Sequence, residues 1–352
     1  MNDINKIYVL CPANVVTGGP DALHQIVLYL NNIGIAASIV YFGEKKENIK
    51  IPIPYRCYIT DFLVLNDMTF TTNDIIISPE SYFYVVKNIK CKKIIWWLSV
   101  DNNAKYTFFY KLFAIATIPL RYLKNNILLH RNINYLKYIK HVSLIKKINF
   151  TKEDDILFHI CASYYAYNYV SKKSSICTYK AIEPISKIFL KKYNANINYK
   201  TNKENVILYN PVKCYSIIKK IIKHDKKHKY IPLSGMNQDE LIEMYKKAKL
   251  YIDFGPFPGA ERMPKEAVLF DCCIITGRRG ASNYYGDVPI LDKYKFNNYK
   301  EYDKIISMID YIFENYEIAI KDFKIYKDVV LSLENNFIES LKNIFYEGKS
   351  KI

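Results

Sequence analysis

Residues 250–282 read Leu250-Tyr-Ile-Asp-Phe-Gly-Pro-Phe-Pro-Gly-Ala-Glu-Arg-Met-Pro-Lys-Glu-Ala-Val-Leu-Phe-Asp-Cys-Cys-Ile-Ile-Thr-Gly-Arg-Arg-Gly-Ala-Ser282. Two apolar runs, Leu250–Phe254 and Cys273–Thr276, have the length of buried strands. Between them lie a loop rich in Gly and Pro and a segment opened by Pro264. Proline is favoured at the first position of a helix, where its missing N–H was unpaired anyway. The spacing therefore predicts strand, loop, helix, strand, the unit from which parallel sheets are built. In such sheets the loops at the strand carboxyl ends carry the ligand. Here those loops hold Gly255, Gly259, Glu261 and Arg262 after the first strand, and Gly277, Arg278, Arg279 and Gly280 after the second. Glycine lets a backbone approach a ligand closely or take positive φ. Arginine pairs with phosphate oxygens, and the free N–H groups of a helix start favour an anion. Glu266, predicted in the first turn, either complements the helix dipole or accepts hydrogen bonds from a vicinal diol such as ribose. The stretch suits a ligand with both phosphate and sugar hydroxyls. An ordinary αβ unit with a solvated Arg pair is the competing reading.

Outward from this stretch the pattern recurs. Lys6–Cys11 reads as a buried strand. The loop Thr17-Gly18-Gly19-Pro20 follows, then a helix capped by Asp21 and running to about Asn32, then an apolar run from Ile35 to Phe42. Further strands are predicted at Asp74–Ser78, Lys93–Trp97 and Asp155–Ile160. Helices are predicted at Pro79–Lys87, from Ser163, and at Lys180–Tyr193. After a polar, linker-like stretch at 194–205 the pattern restarts. Strands are predicted at Val206–Tyr209 and Tyr230–Leu233, helices at Lys213–Ile222 and Gln238–Lys247, and a helical tail from Tyr302. The expectation is an α/β protein of two Rossmann-like domains, 1–200 and 201–352, facing across a cleft where ligands bind.

The composition narrows the chemistry. With 352 residues, half of them apolar, the chain can bury a sizeable core. Eight cysteines are scattered without a C-x-x-C pair, which predicts buried reduced thiols and no metal site. The amino terminus lacks a signal-peptide pattern, and no apolar run reaches the ~18 residues that span a bilayer. A cytoplasmic protein, soluble or peripheral at the inner face of the membrane, is expected. The net charge of +17 is concentrated: residues 102–152 contain no Asp or Glu but ten Lys or Arg. Within that window the apolar run from Leu112 to Leu120 lies between Lys111 and Arg121. Cations and aromatics around a short apolar segment suit an anionic membrane surface, with Lys111, Arg121, Lys124, Lys137 and Lys140 as contacts. Nucleic acid attracts the same charges, and a solvated basic surface is the plain alternative.

Three places resemble a known family, the glycosyltransferases of the two-Rossmann (GT-B) class found in bacterial capsule and lipopolysaccharide synthesis. They are Gly18-Gly19-Pro20-Asp21-Ala22-Leu23-His24-Gln25, Tyr209-Asn210-Pro211-Val212-Lys213, and the stretch from Tyr251 to Ala267 with Ile275–Gly280. The resemblance implies transfer of a sugar from a nucleotide-diphosphate sugar to a glycan or lipid-linked acceptor, without a cofactor or a bound metal. Retaining members carry two glutamates eight positions apart. Glu266-Ala267 matches the second, which binds ribose, whereas the first falls on Pro258, with Glu261 or the backbone at Gly259 and Ala260 as substitutes. Lys213 resembles the basic residue that holds the diphosphate, with Arg262 and Arg279 as further candidates; Gly18 and Gly19 resemble the loop that closes on the donor, and Gly259 and Gly280 belong to the expected donor-binding set. For an inverting reaction a general base is required, with Asp21, His24 and Asp101 as candidates in that order. An epimerase or phosphorylase on the same fold, and a non-catalytic nucleic-acid-binding protein, are the alternatives.

Overall fold

The computed structural model describes residues 6–105, 108–128, 135–136, 139, 143, 148, 150, 155–194, 203–297 and 300–346. The chain divides into two compact units. The first comprises residues up to 162 together with 166–179; the second comprises 163–165 and the chain from Lys180 onward.

The first unit is built on a seven-stranded sheet of β1 (Ile7–Pro12), β2 (Ala37–Phe42), β3 (Leu63–Val64), β4 (Ile75–Pro79), β5 (Lys92–Trp97), β6 (Ile156–Cys161) and β7 (Thr178–Lys180). Their spatial order is β3-β2-β1-β4-β5-β6-β7, and the ladders from β3 to β6 are parallel. Strands covered on both faces read as continuous apolar runs. That is why β4 and β5, with Ile75, Ile77, Ile94, Ile95, Trp96 and Trp97 fully buried, were legible as strands. The strand order reverses between β1 and β4, a topological switch point. The helix after β1 spans Gly18–Asn32 with Thr17 as N-cap. It therefore begins before Asp21, which lies buried in its first turn instead of capping it.

The second unit carries β8 (Glu204–Tyr209), β9 (Lys229–Pro232), β10 (Ala248–Asp253), β11 (Cys273–Gly277) and β12 (Lys295–Phe296). All are parallel, in the order β12-β11-β10-β8-β9. Here the reversal falls between β8 and β10. The helices Pro211–His224, Gln238–Lys247 and Arg262–Leu269 connect the strands, and Tyr302–Glu314 and Lys324–Tyr346 form the predicted tail. Asn237 and Glu240 close the Gln238 helix with a reciprocal capping box. One apolar cluster, from Ile185 through Tyr251, Ile252 and Ile274 to Val330, fills this unit.

Two sequence expectations shift. The boundary lies near 180 instead of 200, because Ile185 and Phe189 are buried in the core of the second unit, Phe189 against Tyr245 and Phe270. The helix expected from Lys180 starts only at Lys187, since Pro184 drives the residue before it out of helical geometry.

In the basic window, helices run over Phe108–Ala116 and Ile118–Tyr122, followed by a wider π-type turn at Leu123–Leu128. Leu112, Phe113, Ile115, Leu120, Tyr122, Leu123, Ile127 and Leu136 are exposed there. Lys111, Arg121 and Lys124 fall on these elements, with side chains outside the described set; Lys137 and Lys140 lie outside the described residues. Among the described residues no helix is long and apolar enough to cross a membrane.

Candidate active site

In the second unit the register sets Ile252 beside Tyr209 and Asp253 beside Thr276. The chains leaving β8, β10 and β11 therefore emerge next to one another at the carboxyl edge. After β8, Asn210 accepts a hydrogen bond from the Val212 N–H at 2.9 Å, which caps the Pro211 helix. This capped turn presents Lys213. After β10, the Asp253 carboxylate accepts from the Gly255 N–H at 2.8 Å and from the Tyr251 hydroxyl at 3.1 Å. Burial pushes the Asp253 carboxyl up to about 6; the Gly255 bond and Lys213 pull it down, and the Glu261 charge adds to the rise. A Cβ on Gly255 would sit 3.0 Å from Asp253 Oδ1 and 3.1 Å from the Lys213 Cβ, so the loop after β10 packs closely under the lysine stem.

Lys213 Nζ forms an ion pair and hydrogen bond with Glu261 Oε2. Glu261 is the N-cap of the Arg262–Leu269 helix. The helix thus begins two residues before Pro264 and carries it at the third position, where the N–H has no intrahelical partner in any case. Glu266 accordingly lies in the second turn and not the first, which removes its role as a partner of the helix dipole. It is 7% exposed and accepts from the Tyr245 hydroxyl at 3.4 Å.

Arg262 is half-buried in the first turn and Gly259 is buried in the loop. Arg278 is committed to Asp292 at 3.0 Å, whereas Arg279 is exposed. Gly280 has a φ of +58°, and a Cβ there would lie 2.1 Å from the Phe257 carbonyl oxygen. That carbonyl accepts from the Ala281 N–H at 2.7 Å, so the loop after β11 is fastened to the loop after β10. Ser282 tightens it further, bonding the Gly277 and Arg279 carbonyls.

Sequence reasoning passed over several members of this site. Asp253 lies inside the predicted strand Leu250–Phe254, where nothing in the sequence sets it apart. Lys265 is 3% exposed, with no hydrogen-bond partner for its Nζ. Burial pushes its ammonium below the usual lysine range. Glu183, Asp287 and Glu261 act to hold its charge, and Arg262 acts against it. The signal for Lys265 was its i, i+4 spacing from Glu261 on a short helix. Asp287 accepts from the backbone N–H groups of Tyr164 at 2.7 Å and Tyr165 at 3.0 Å, a long-range contact without any local signal.

In the first unit the candidates divide. Gly18 is exposed and Gly19 half-buried at the start of their helix. Asp21 is 3% exposed and accepts from the Gln25 amide at 2.8 Å. His24 is buried; one ring nitrogen lies 2.6 Å from the Pro20 carbonyl, the other 2.6 Å from the Tyr41 hydroxyl, and the ring stacks on Tyr55. Burial pushes its pKa down to about 4. Neither residue fits a base that takes a proton from an outside substrate: their acceptor groups are enclosed and already bonded. His24 is a core histidine. Asp101, on the short helix Val100–Lys105 after β5, is half-buried. Glu80, at the carboxyl end of β4, is buried and bonds the Leu98 N–H at 3.0 Å; burial pushes it up to about 7. Among the described residues no group of three or more His, Cys, Asp or Glu is placed to hold a metal ion.

No family model and no curated protein sequence matches the chain. Solved structures do. A sucrose-phosphate synthase from Thermosynechococcus elongatus superposes with a TM-score of 0.62 at 8% identity, covering 99% of this chain and 100% of that one. A glycosyltransferase from Rickettsia africae gives 0.54 at 14% identity, with 97% of each chain covered. An O-GlcNAc transferase from Thermobaculum terrenum gives 0.54 at 8% identity, covering 98% of this chain and 67% of that one. The fold is that of the GT-B glycosyltransferases, as the resemblance implied. At these identities the likeness is one of fold.

Proposed function

We propose that the protein is a glycosyltransferase that moves a sugar from a nucleoside-diphosphate sugar to a glycan or lipid-linked acceptor in bacterial surface-polysaccharide synthesis. The observation that carries this is the convergence at the β8–β10 switch point of Lys213, the Asp253–Gly255 turn and the amino end of the Arg262 helix. Open parallel sheets bind nucleotides at that position, and a diphosphate needs cations and unpaired N–H groups. In this reading Lys213, Arg262 and Arg279 hold the diphosphate, and Gly259 and Gly280 let the two loops close in. Glu266 binds the ribose hydroxyls. Charge that develops on the departing diphosphate is met by these groups, so transfer is expected to persist in EDTA. The first unit takes the acceptor. Its acid-free basic window, with eight exposed apolar side chains among its described residues, meets the anionic inner leaflet from which a lipid-linked acceptor would be presented.

A thermal-shift screen against UDP-, GDP-, ADP- and CMP-sugars tests the donor assignment. A ligand at 100 times its dissociation constant adds about 2.7 kcal/mol of stability. Glu266→Ala should fold with a ligand-free Tm near that of the wild type and show no shift. A full shift in that variant removes Glu266 from the site. No shift of the wild type with any of these donors rejects the proposal.

A further inference from the structure

One carboxylate in the site is ion-paired with one lysine and lies four residues before another. Glu261 is paired with Lys213. Lys265, four residues further along the same helix, is nine-tenths or more buried, and its ammonium has no hydrogen-bond partner. Helical side chains lean toward the amino end, and residues four apart share a face, with Glu before Lys the favourable order. Lys265 and Glu261 therefore share the face at the first turn, and the charges of Glu183, Asp287 and Glu261 all act on the Lys265 ammonium, Glu183 most strongly. A buried ammonium without a partner is costly to a fold. It persists where another state of the site supplies the partner.

We propose that Glu261 is a two-position latch between Lys213 and Lys265, thrown by the donor's diphosphate. In the donor-free protein Glu261 occupies Lys213, the cation that the diphosphate needs. When the diphosphate arrives it takes Lys213, and the displaced carboxylate passes to Lys265. Both lysines then bond an anion directly, whereas before the exchange the Lys265 ammonium made no hydrogen bond. Lys265 is thus a positioning residue: it draws Glu261 off the diphosphate subsite and holds it at the edge of the loop. No bond is made or broken; only ion pairs exchange. The latch rests on the reading of the Lys213 site as a diphosphate site.

The two lysines and the glutamate predict opposite signs, which a merely structural ion pair does not. Binding of UDP, GDP and ADP is measured by calorimetry on the full chain and on Glu261→Gln, Lys213→Met and Lys265→Met. Lys213→Met should weaken the bound diphosphate more than tenfold. Glu261→Gln should tighten it severalfold, because Lys213 no longer has to be released. Lys265→Met should weaken it severalfold in the wild-type background and have no effect in the Glu261→Gln background. Without ligand, Lys265→Met should match or exceed the wild-type Tm, since it removes a buried ammonium that makes no hydrogen bond. A Glu261→Gln variant that binds more weakly than wild type overturns the latch and leaves the donor site standing. So does an equal effect of Lys265→Met in both backgrounds, or a lowered ligand-free Tm. If the wild type binds none of the three diphosphates, the latch and the donor site fall together.

Discussion

Gly280 sits at φ +58° with the Phe257 carbonyl oxygen 2.1 Å from where a Cβ would be. Gly280→Ala meets both the left-handed backbone cost and a direct overlap, together at least about 2 kcal/mol. In a unit of this size that lowers Tm by roughly 4–8 °C. Because the overlap pushes apart the loops after β10 and β11, nucleoside diphosphates should also bind less tightly. An unchanged Tm would mean that the two loops do not meet in this way. Residues of this kind were legible: a glycine after a buried strand has few reasons to be there. Lys265 was less so: its spacing from Glu261 is visible, but a lysine in a helix ordinarily lies in water and nothing local says that this one is enclosed. His24 misled for the opposite reason. A histidine after a Gly-Gly loop looks like chemistry until Tyr41, Tyr55 and Pro20 are found around it.

At the scale of elements, nine of the twelve strands described were read to within about two residues, because burial leaves an unbroken apolar run; β3, β7 and β12, two or three residues long, were too short to show one. Helix starts were read less well. Pro264 marks a first turn, but the turn has three positions where a missing N–H costs nothing, and the actual start at Arg262 moved Glu266 out of dipole range. Two elements of the first unit carry opposed pH effects. Glu80, at the end of β4, is pushed by burial from its ordinary 4.5 up to about 7. Its contribution to stability is therefore full below pH 4.5 and lost as pH rises through 7. His24, in the Gly18 helix, is pushed by burial from 6.5 down to about 4. Its contribution is full above pH 6.5 and lost as pH falls through 4. Between pH 4.5 and 6.5 the two slopes, each up to about 1.4 kcal/mol per pH unit, oppose one another. Glu80→Gln should unmask the histidine: its urea midpoint should climb from pH 4.5 to 6.5, then hold to pH 7.5, where the wild type declines. Identical pH profiles for the two proteins would show that Glu80 is not desolvated in solution.

For the molecule as a whole, charge was the clearest message of the sequence and the boundary between units the faintest. The absence of any Asp or Glu from 102 to 152 is visible at once. Neutralising Lys137, Lys140, Lys146 and Lys147 together removes roughly 1 kcal/mol of attraction per lysine. Co-sedimentation with phosphatidylglycerol vesicles should accordingly fall by two or more orders of magnitude in affinity, and added salt should weaken the wild type in the same way. Retained vesicle binding in the variant would exclude this window as the contact. The boundary was hidden because the second unit is assembled from two separate pieces of chain, residues 163–165 and the chain from Lys180. That division has a consequence on the ribosome. The N–H of Tyr164 waits for the Asp287 carboxylate, 123 residues later. At 5–20 residues per second that is a delay of roughly 6–25 s, long after the last strand of the first sheet has emerged. The nascent protein therefore passes through a stage with one sheet complete and a short tyrosine-bearing segment still waiting, the interval in which a chaperone or a protease would meet it.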